Sequence, residues 1–189
     1  MTRQARIPAL GYALLGLLHP KPASGYDLRK VFSSTSLRSY SDSPGAIYPA
    51  LSRLARQGLI VGKIEKGRGI RQRQMFRLTS QGLAELKKWV TKPVTREELI
   101  SGQDQILLRF AFSELTAGRA ASLNLLKSVQ TAVKAHLPEL REELRSVAAV
   151  APASGRLAFE FGVRGYEGLL EWVSYAIATY ERERKGGSL

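Results

Sequence analysis

The chain has 189 residues, 44% hydrophobic and 8% aromatic, a composition that is ordinary for a packed globular protein and excludes a wholly disordered one. It contains no cysteine and two histidines, His19 and His136, so disulfides, metal centres and cofactor attachment through these residues are not expected. The net charge of +13 lies entirely in residues 1–92, with 17 Lys/Arg against 4 Asp/Glu, whereas residues 93–189 carry 12 of each. A basic half suits nucleic acid, although an anionic membrane surface would attract the same charge.

The N-terminal segment has two interpretations. Arg3 and Arg6 precede the apolar stretch 7–18, which resembles the beginning of a secretion signal. The stretch is shorter than the about 20 apolar residues that span a bilayer, and the prolines that follow it make a poor cleavage site. We therefore interpret it as a helix of the folded protein, and we expect a cytoplasmic protein with no membrane association.

The sequence of the first half, residues 1–92, predicts helices with clear boundaries. Leucines recur at helical spacing from Leu10 to Leu18, and Pro20 ends this first helix. Ser24 is the predicted N-cap of a second helix that runs to about Phe32, and the polar residues 33–42 predict a loop or a frayed turn.

A third helix begins after the N-cap Ser43 with Pro44 in its first position, and it ends at Gly58. Its apolar residues share one face, so the opposite face is expected to be exposed. We predict that this exposed strip and its flanks contact DNA, through Ser43, Gly45, Tyr48, Pro49, Ser52, Arg53 and Arg56.

Two apolar runs, 59–61 and 75–78, flank a basic turn with two glycines and predict a β-hairpin. Thr79 is the predicted cap of a fourth helix that ends near Val90, and Pro93 marks a domain boundary. A solvated face without a partner is the alternative to phosphate binding by the hairpin. The predicted phosphate-binding residues are Lys63, Lys66, Arg68, Arg71 and Arg73.

The second half predicts long helices. Apolar residues between Leu123 and Val147 follow a heptad seam interrupted at Gln130, and Pro138 is expected to kink or split this helix. Residues 151–155 predict a linker, and a last helix runs from Arg156 to about Arg184. Its apolar surface exceeds what one neighbouring helix covers, which predicts a homodimer. The predicted dimer contacts are Leu157, Phe161, Leu169, Trp172 and Ala176.

The last helix also contains features that admit a ligand. Phe161, Tyr166, Trp172 and Tyr175 could line a site for a small apolar or aromatic effector, although ordinary core and dimer packing is the favoured interpretation. The glycines 162, 165 and 168 lack the preceding strand of a phosphate loop, so they favour close approach of another helix or a ligand. His136 is expected to be packed rather than catalytic.

The order of helix, helix, helix and basic hairpin is that of a winged helix-turn-helix. Residues 9–18, 24–28, 45–54, 58–60 and 76–83 resemble the PadR family of transcriptional regulators, and residues 104–112 and 157–177 resemble its longer type, whose C-terminal helices interlock two subunits. The resemblance implies that Tyr48 touches DNA, where the alternative is a structural tyrosine. The turn 67–73 is more basic than the usual family turn and lacks its proline.

We therefore expect a mainly α fold with a small β-hairpin: a winged helix-turn-helix in residues 1–92 and a helical, coiled-coil-like dimerisation and effector domain in residues 93–189. No nucleophile elbow, Walker loop or metal-ligand spacing is present, so no enzyme, catalytic residue, metal or cofactor is expected. The predicted function is a repressor that binds an inverted-repeat operator in double-stranded DNA as a homodimer. A nucleic-acid-binding protein without sequence preference, of the nucleoid or RNA-binding type, and a membrane-surface adaptor are the alternatives.

Overall fold

A computed structural model describes residues 7–41, 43–66 and 72–186, which divide between two compact units, Met1–Val90 and Thr91–Leu189. The first unit contains helices α1 (Ala9–Leu18), α2 (Gly25–Ser34), α3 (Pro44–Arg56) and α4 (Ser80–Thr91). The second contains α5 (Arg96–Ser101), α6 (Gln103–Ala117), α7 (Arg119–Val150) and α8 (Ala153–Gly186). No described helix combines the length and the apolar character needed to cross a membrane.

The helices of the first unit begin at the predicted caps. The Ser24 hydroxyl accepts the backbone N–H of Asp27 at 3.2 Å, and the Asp27 carboxylate accepts the Ser24 N–H in return, which makes a capping box. The Thr79 hydroxyl accepts the N–H of Gly82 at 3.0 Å at the start of α4. Helix α2 continues two residues past Phe32, and part of the predicted loop forms a short 3-10 helix, Ser36–Ser39.

The predicted hairpin is present, with longer strands and a third partner. Strands β1 (Ala23–Ser24), β2 (Ile60–Lys66) and β3 (Gln72–Leu78) form an antiparallel sheet in the order β1-β3-β2. Ile60 lies opposite Leu78, and Ala23 pairs with Phe76 on the other side of β3. The sequence pattern missed β1 because two residues are too few to show an alternation.

The core of the first unit holds the helices against the start of β2. The space between α4 and β2 is so narrow that a Cβ on Gly82 would lie 2.0 Å from the Leu59 carbonyl oxygen, so only glycine fits there. The fully buried large side chains are Leu14, Leu15, Leu28, Phe32, Ile47, Leu51, Leu59, Leu86 and Val90.

In the second unit α7 packs against both α6 and α8. Helix α7 is continuous through Pro138, so the predicted split is wrong. The proline ring is exposed and removes one backbone hydrogen bond, while the buried Val133 and Leu137 keep the helix packed on its neighbours. The buried set is wider than the predicted seam because it includes Leu125 and Val129.

The connection to the last helix is also shorter than predicted. Helix α8 begins at Ala153, so only Ala151 and Pro152 remain outside helices where the sequence predicts a linker of residues 151–155. Pro152 is tolerated there because it stands just before the first turn of α8, where its missing N–H leaves no helix hydrogen bond unmade. Its carbonyl accepts the N–H of Arg156 at 3.1 Å. The interrupted seam position Gln130 donates a hydrogen bond from its side chain to the Ser174 hydroxyl of α8 at 3.0 Å.

Candidate nucleic-acid interface

Helix α3 turns one side to the core and the other to solvent. The Ser43 hydroxyl accepts the N–H of Gly45 at 3.2 Å and so fixes the first turn. Ile47 and Leu51 are completely buried, and Leu54 is nearly so. Every predicted DNA contact on this helix is exposed, namely Ser43, Gly45, Tyr48, Pro49, Ser52, Arg53 and Arg56.

The exposed strip of α3 is well suited to close approach. Gly45 has no side chain, and Pro49 has no N–H, so the carbonyl of Gly45 lacks its usual donor four residues on. Tyr48 is the aromatic side chain at the edge of this strip; it is 47% exposed, and its ring lies against Gly25 at the first turn of α2.

The hairpin adds basic side chains to the same unit. Lys63 and Arg73 are exposed, and Arg73 lies opposite Glu65 in the strand register. Arg77 forms an ion pair with Glu65 at 3.9 Å. Arg68 and Arg71 lie outside the described residues, as does the side chain of Lys66. Beside the sheet, the hydrogen bond from Ser24 lowers the pKa of Asp27, and the nearby Arg73 and Lys21 act in the same direction.

The predicted dimer contacts of α8 divide between two environments. Leu157 and Phe161 are exposed, Phe161 by 80%, and Trp172 is exposed by 36%. At 100° per residue these three side chains share one face with Tyr175, and we call this set the α8 aromatic face. Leu169 is half-buried and Ala176 is buried.

The four predicted effector residues do not line one site, because Tyr166 is separated from the other three, which belong to the α8 aromatic face. Tyr166 lies on the other side of α8, where its ring meets the His136 ring edge-on with 5.2 Å between centroids. Trp172 contacts Phe110 of α6 at 5.5 Å, whereas Phe161 and Tyr175 are exposed. On the same face, Cβ atoms added at Gly165 and Gly168 would have no neighbour within 4 Å, so the close approach expected there does not occur among the described residues.

A cavity of about 560 Å³ lies between the start of α5 and α7. Its lining includes Val94, Ala132, His136 and the cations Arg96 and Lys127. His136 is only 7% exposed, and its Nδ1 has no hydrogen-bond partner among the described residues. The nearest acid is Glu139, with 3.5 Å between Oε2 and that nitrogen, and Glu139 is also bound by Arg96. Sequence reasoning missed this cavity, since its walls come from separate segments.

Three helices followed by a basic hairpin, with the exposed side of the third helix left open, define a winged helix-turn-helix protein. Residues 14–88 match the transcriptional regulator PadR-like family. The chain is 28% identical to the negative transcriptional regulator PadR of Bacillus subtilis (strain 168), over 81% of this chain and 82% of that protein. Residues 14–88 are therefore similar to the DNA-binding part of the PadR-like transcriptional regulators, and the chain resembles that family over most of its length.

Other similarities are more distant or shorter. The transcriptional regulator YqjI of Escherichia coli (strain K12) is 33% identical over 48% of this chain and 40% of that protein. Among solved structures, Bacillus subtilis PadR in complex with operator DNA has a TM-score of 0.43 at 22% identity, covering 92% of this chain and 99% of that one. The same protein in complex with p-coumaric acid has a TM-score of 0.38 at 23% identity, covering 94% and 98%.

Proposed function

We propose that this protein is a DNA-binding repressor that inserts α3 into the major groove of its operator. The observation that carries the proposal is the division of α3 into two faces. One face is apolar and buried, and the other is exposed and includes Tyr48 and Ser52. A helix whose outer face begins with small residues can reach the base edges of a major groove. The name of the Bacillus subtilis relative, a negative transcriptional regulator, supports repression.

The hairpin is proposed to contact the DNA backbone beside that groove. Exposed Lys63 and Arg73 supply positive charge, and the turn between the strands adds Arg68 and Arg71 in sequence. Phosphate contacts of this kind supply affinity without sequence information and make binding salt-dependent. The first unit is thus the proposed DNA-binding domain.

The second unit is proposed to form the homodimer. The α8 aromatic face is exposed although it carries large apolar side chains, and a surface of this kind marks a protein interface. The open positions at Gly165 and Gly168 would let a partner helix approach closely. Two-fold symmetry then presents two copies of α3 about one DNA turn apart, or a multiple of it, and favours an inverted-repeat operator.

We further propose that a small aromatic acid binds the cavity beside His136 as an effector. The volume is in the range of small-molecule sites, and the buried imidazole has no hydrogen-bond partner at Nδ1. A ligand carboxylate would compete with Glu139 for Arg96 and with Glu181 for Lys127, which pair with these cations in the free protein. The α8 aromatic face is the alternative site. Titration with p-coumaric acid as the probe distinguishes the two sites. If the compound binds in the cavity, His136→Leu abolishes its binding; if it binds on the α8 aromatic face, Trp172→Phe does.

Selection of bound fragments from the source genome, followed by footprinting, tests the main proposal. A protected inverted repeat that Tyr48→Ala binds more weakly is the expected result. Equal affinity for all fragments would instead favour a nucleic-acid-binding protein without sequence preference. Co-sedimentation with anionic liposomes at equal salt tests the membrane-surface alternative.

A further inference from the structure

The contact between Gly25 and Tyr48 joins the first turn of α2 to the exposed strip of α3. A Cβ built on Gly25 would lie 2.5 Å from Cε1 of Tyr48 and 3.2 Å from Cδ1 and Cζ of the same ring. These are the three nearest heavy atoms, so the space that a side chain at position 25 would fill is occupied by the tyrosine ring. Gly25 itself is buried, whereas Tyr48 is half-exposed.

No other feature of the local structure requires glycine at position 25. Among the described residues the glycines with positive φ are Gly58 and Gly118, so the backbone of Gly25 is one that any residue adopts. Gly25 is the first residue of α2, a position that does not itself require glycine. The cap of this helix comes from Ser24, whose hydroxyl does not depend on the residue that follows. The reason for glycine is therefore the ring that lies against it.

We propose that Gly25 is a positioning residue for DNA recognition. Because it has no side chain, the Tyr48 ring packs directly against its backbone, and this contact holds the ring in one orientation on the exposed side of α3. The inference rests on the proposed function of α3, because it assumes that Tyr48 meets the operator. An exposed side chain that is ordered before binding loses less entropy when it binds. The contact between Gly25 and the Tyr48 ring thus contributes to operator affinity and to base preference, although Gly25 itself does not touch DNA.

The test is Gly25→Ala combined with Tyr48→Ala in a double-mutant cycle of operator binding. The added methyl group forces the half-exposed ring to rotate away, which a surface side chain can do without unfolding the domain. We expect Gly25→Ala to weaken operator binding by about tenfold, as for a lost pre-organised contact. In the Tyr48→Ala background the methyl group finds free space, so the same change has no further effect on affinity.

Two readouts separate positioning from a general structural effect. The salt dependence of binding stays at its wild-type slope in Gly25→Ala, because the number of phosphate contacts is unchanged. In the free protein with ring-labelled tyrosine, the Tyr48 resonance, assigned by its loss in Tyr48→Phe, shifts in Gly25→Ala. Gly155→Ala is the matched control: it adds a methyl group at a helical glycine whose nearest neighbour would lie at 3.6 Å, and it leaves this resonance in place.

The possible failures are distinguishable. If Gly25→Ala binds the operator with wild-type affinity while Tyr48→Ala binds it more weakly, the positioning role is overturned and the proposed function of α3 stands. An equal loss in both backgrounds also overturns it, because Gly25 then acts without the ring. Wild-type binding by both single variants refutes DNA contact by Tyr48, and the positioning role with it. If Gly25→Ala unfolds while the double variant folds, the contact supports the fold rather than DNA recognition, and the positioning role is overturned.

Discussion

Replacement of Phe161 by alanine should dissociate the proposed homodimer. Phe161 is 80% exposed in the single chain, so of the ~200 Å² of a phenylalanine side chain about 160 Å² is available for burial by a partner. At about 25 cal/mol per Å² this area corresponds to about 4 kcal/mol in each protomer if burial is complete. Allowing for incomplete burial and for the retained Cβ, we expect at least about 3 kcal/mol for the dimer, a rise in Kd of more than about a hundredfold.

Sedimentation velocity over a concentration series measures this dissociation constant directly. Leu83→Ala is the matched control, because Leu83 is an exposed leucine of α4 in the first unit and lies outside the proposed interface. Circular dichroism should show unchanged helix content in both variants, since neither side chain belongs to a core. A Phe161→Ala protein that dimerises as tightly as the wild type would refute the assignment of the α8 aromatic face to the interface.

The remaining predictions concern the hairpin, the first-unit core and the cap of α2. Arg68→Ala with Arg71→Ala should weaken binding to all DNA sequences together and flatten the slope of log K against log salt by about 2; Arg141→Ala with Arg145→Ala, in the electroneutral half, serves as the control. Gly82→Ala should destabilise the protein by about 3 kcal/mol in urea unfolding, because its Cβ collides with the Leu59 backbone; an unchanged midpoint would refute the close approach. The hydrogen bond from Ser24 lowers the pKa of Asp27 below its ordinary value of 3.8, so the carboxylate stabilises the fold above that pH. This stability is lost as the pH falls through the folded pKa, and Asp27→Asn should remove that part of the acid dependence in unfolding measured between pH 2 and 5.

The elements that the sequence predicted well are those determined by neighbouring residues. Ser24, Ser43 and Thr79 each accept a backbone N–H within the next three residues, so a cap is visible in a short stretch of sequence. The exposed strip of α3 was equally predictable, because the helical period places polar residues opposite the buried Ile47 and Leu51.

The features that the sequence did not predict depend on contacts between distant segments. Strand β1 exists because Ala23 meets Phe76, and two residues carry no periodic signal. The contact of Gly25 with Tyr48 joins residues far apart in the chain, so neither residue indicates the other. The continuity of α7 past Pro138 likewise follows from packing on α6 and α8, which outweighs the local preference of proline to end a helix.

The positions of the cavity and the α8 aromatic face constrain how an effector could act. His136 lines the cavity from α7, and its ring also contacts Tyr166 of α8, the helix that carries the proposed interface. A ligand in the cavity can therefore influence the dimer through one direct contact between the two helices. It changes DNA affinity only if it binds one dimer geometry more tightly than another; equal affinity for both would leave the operator occupied. Tyr166→Phe preserves the ring contact, whereas Tyr166→Ala removes it. The alanine variant should still bind the effector, but its release from the operator should no longer respond to it.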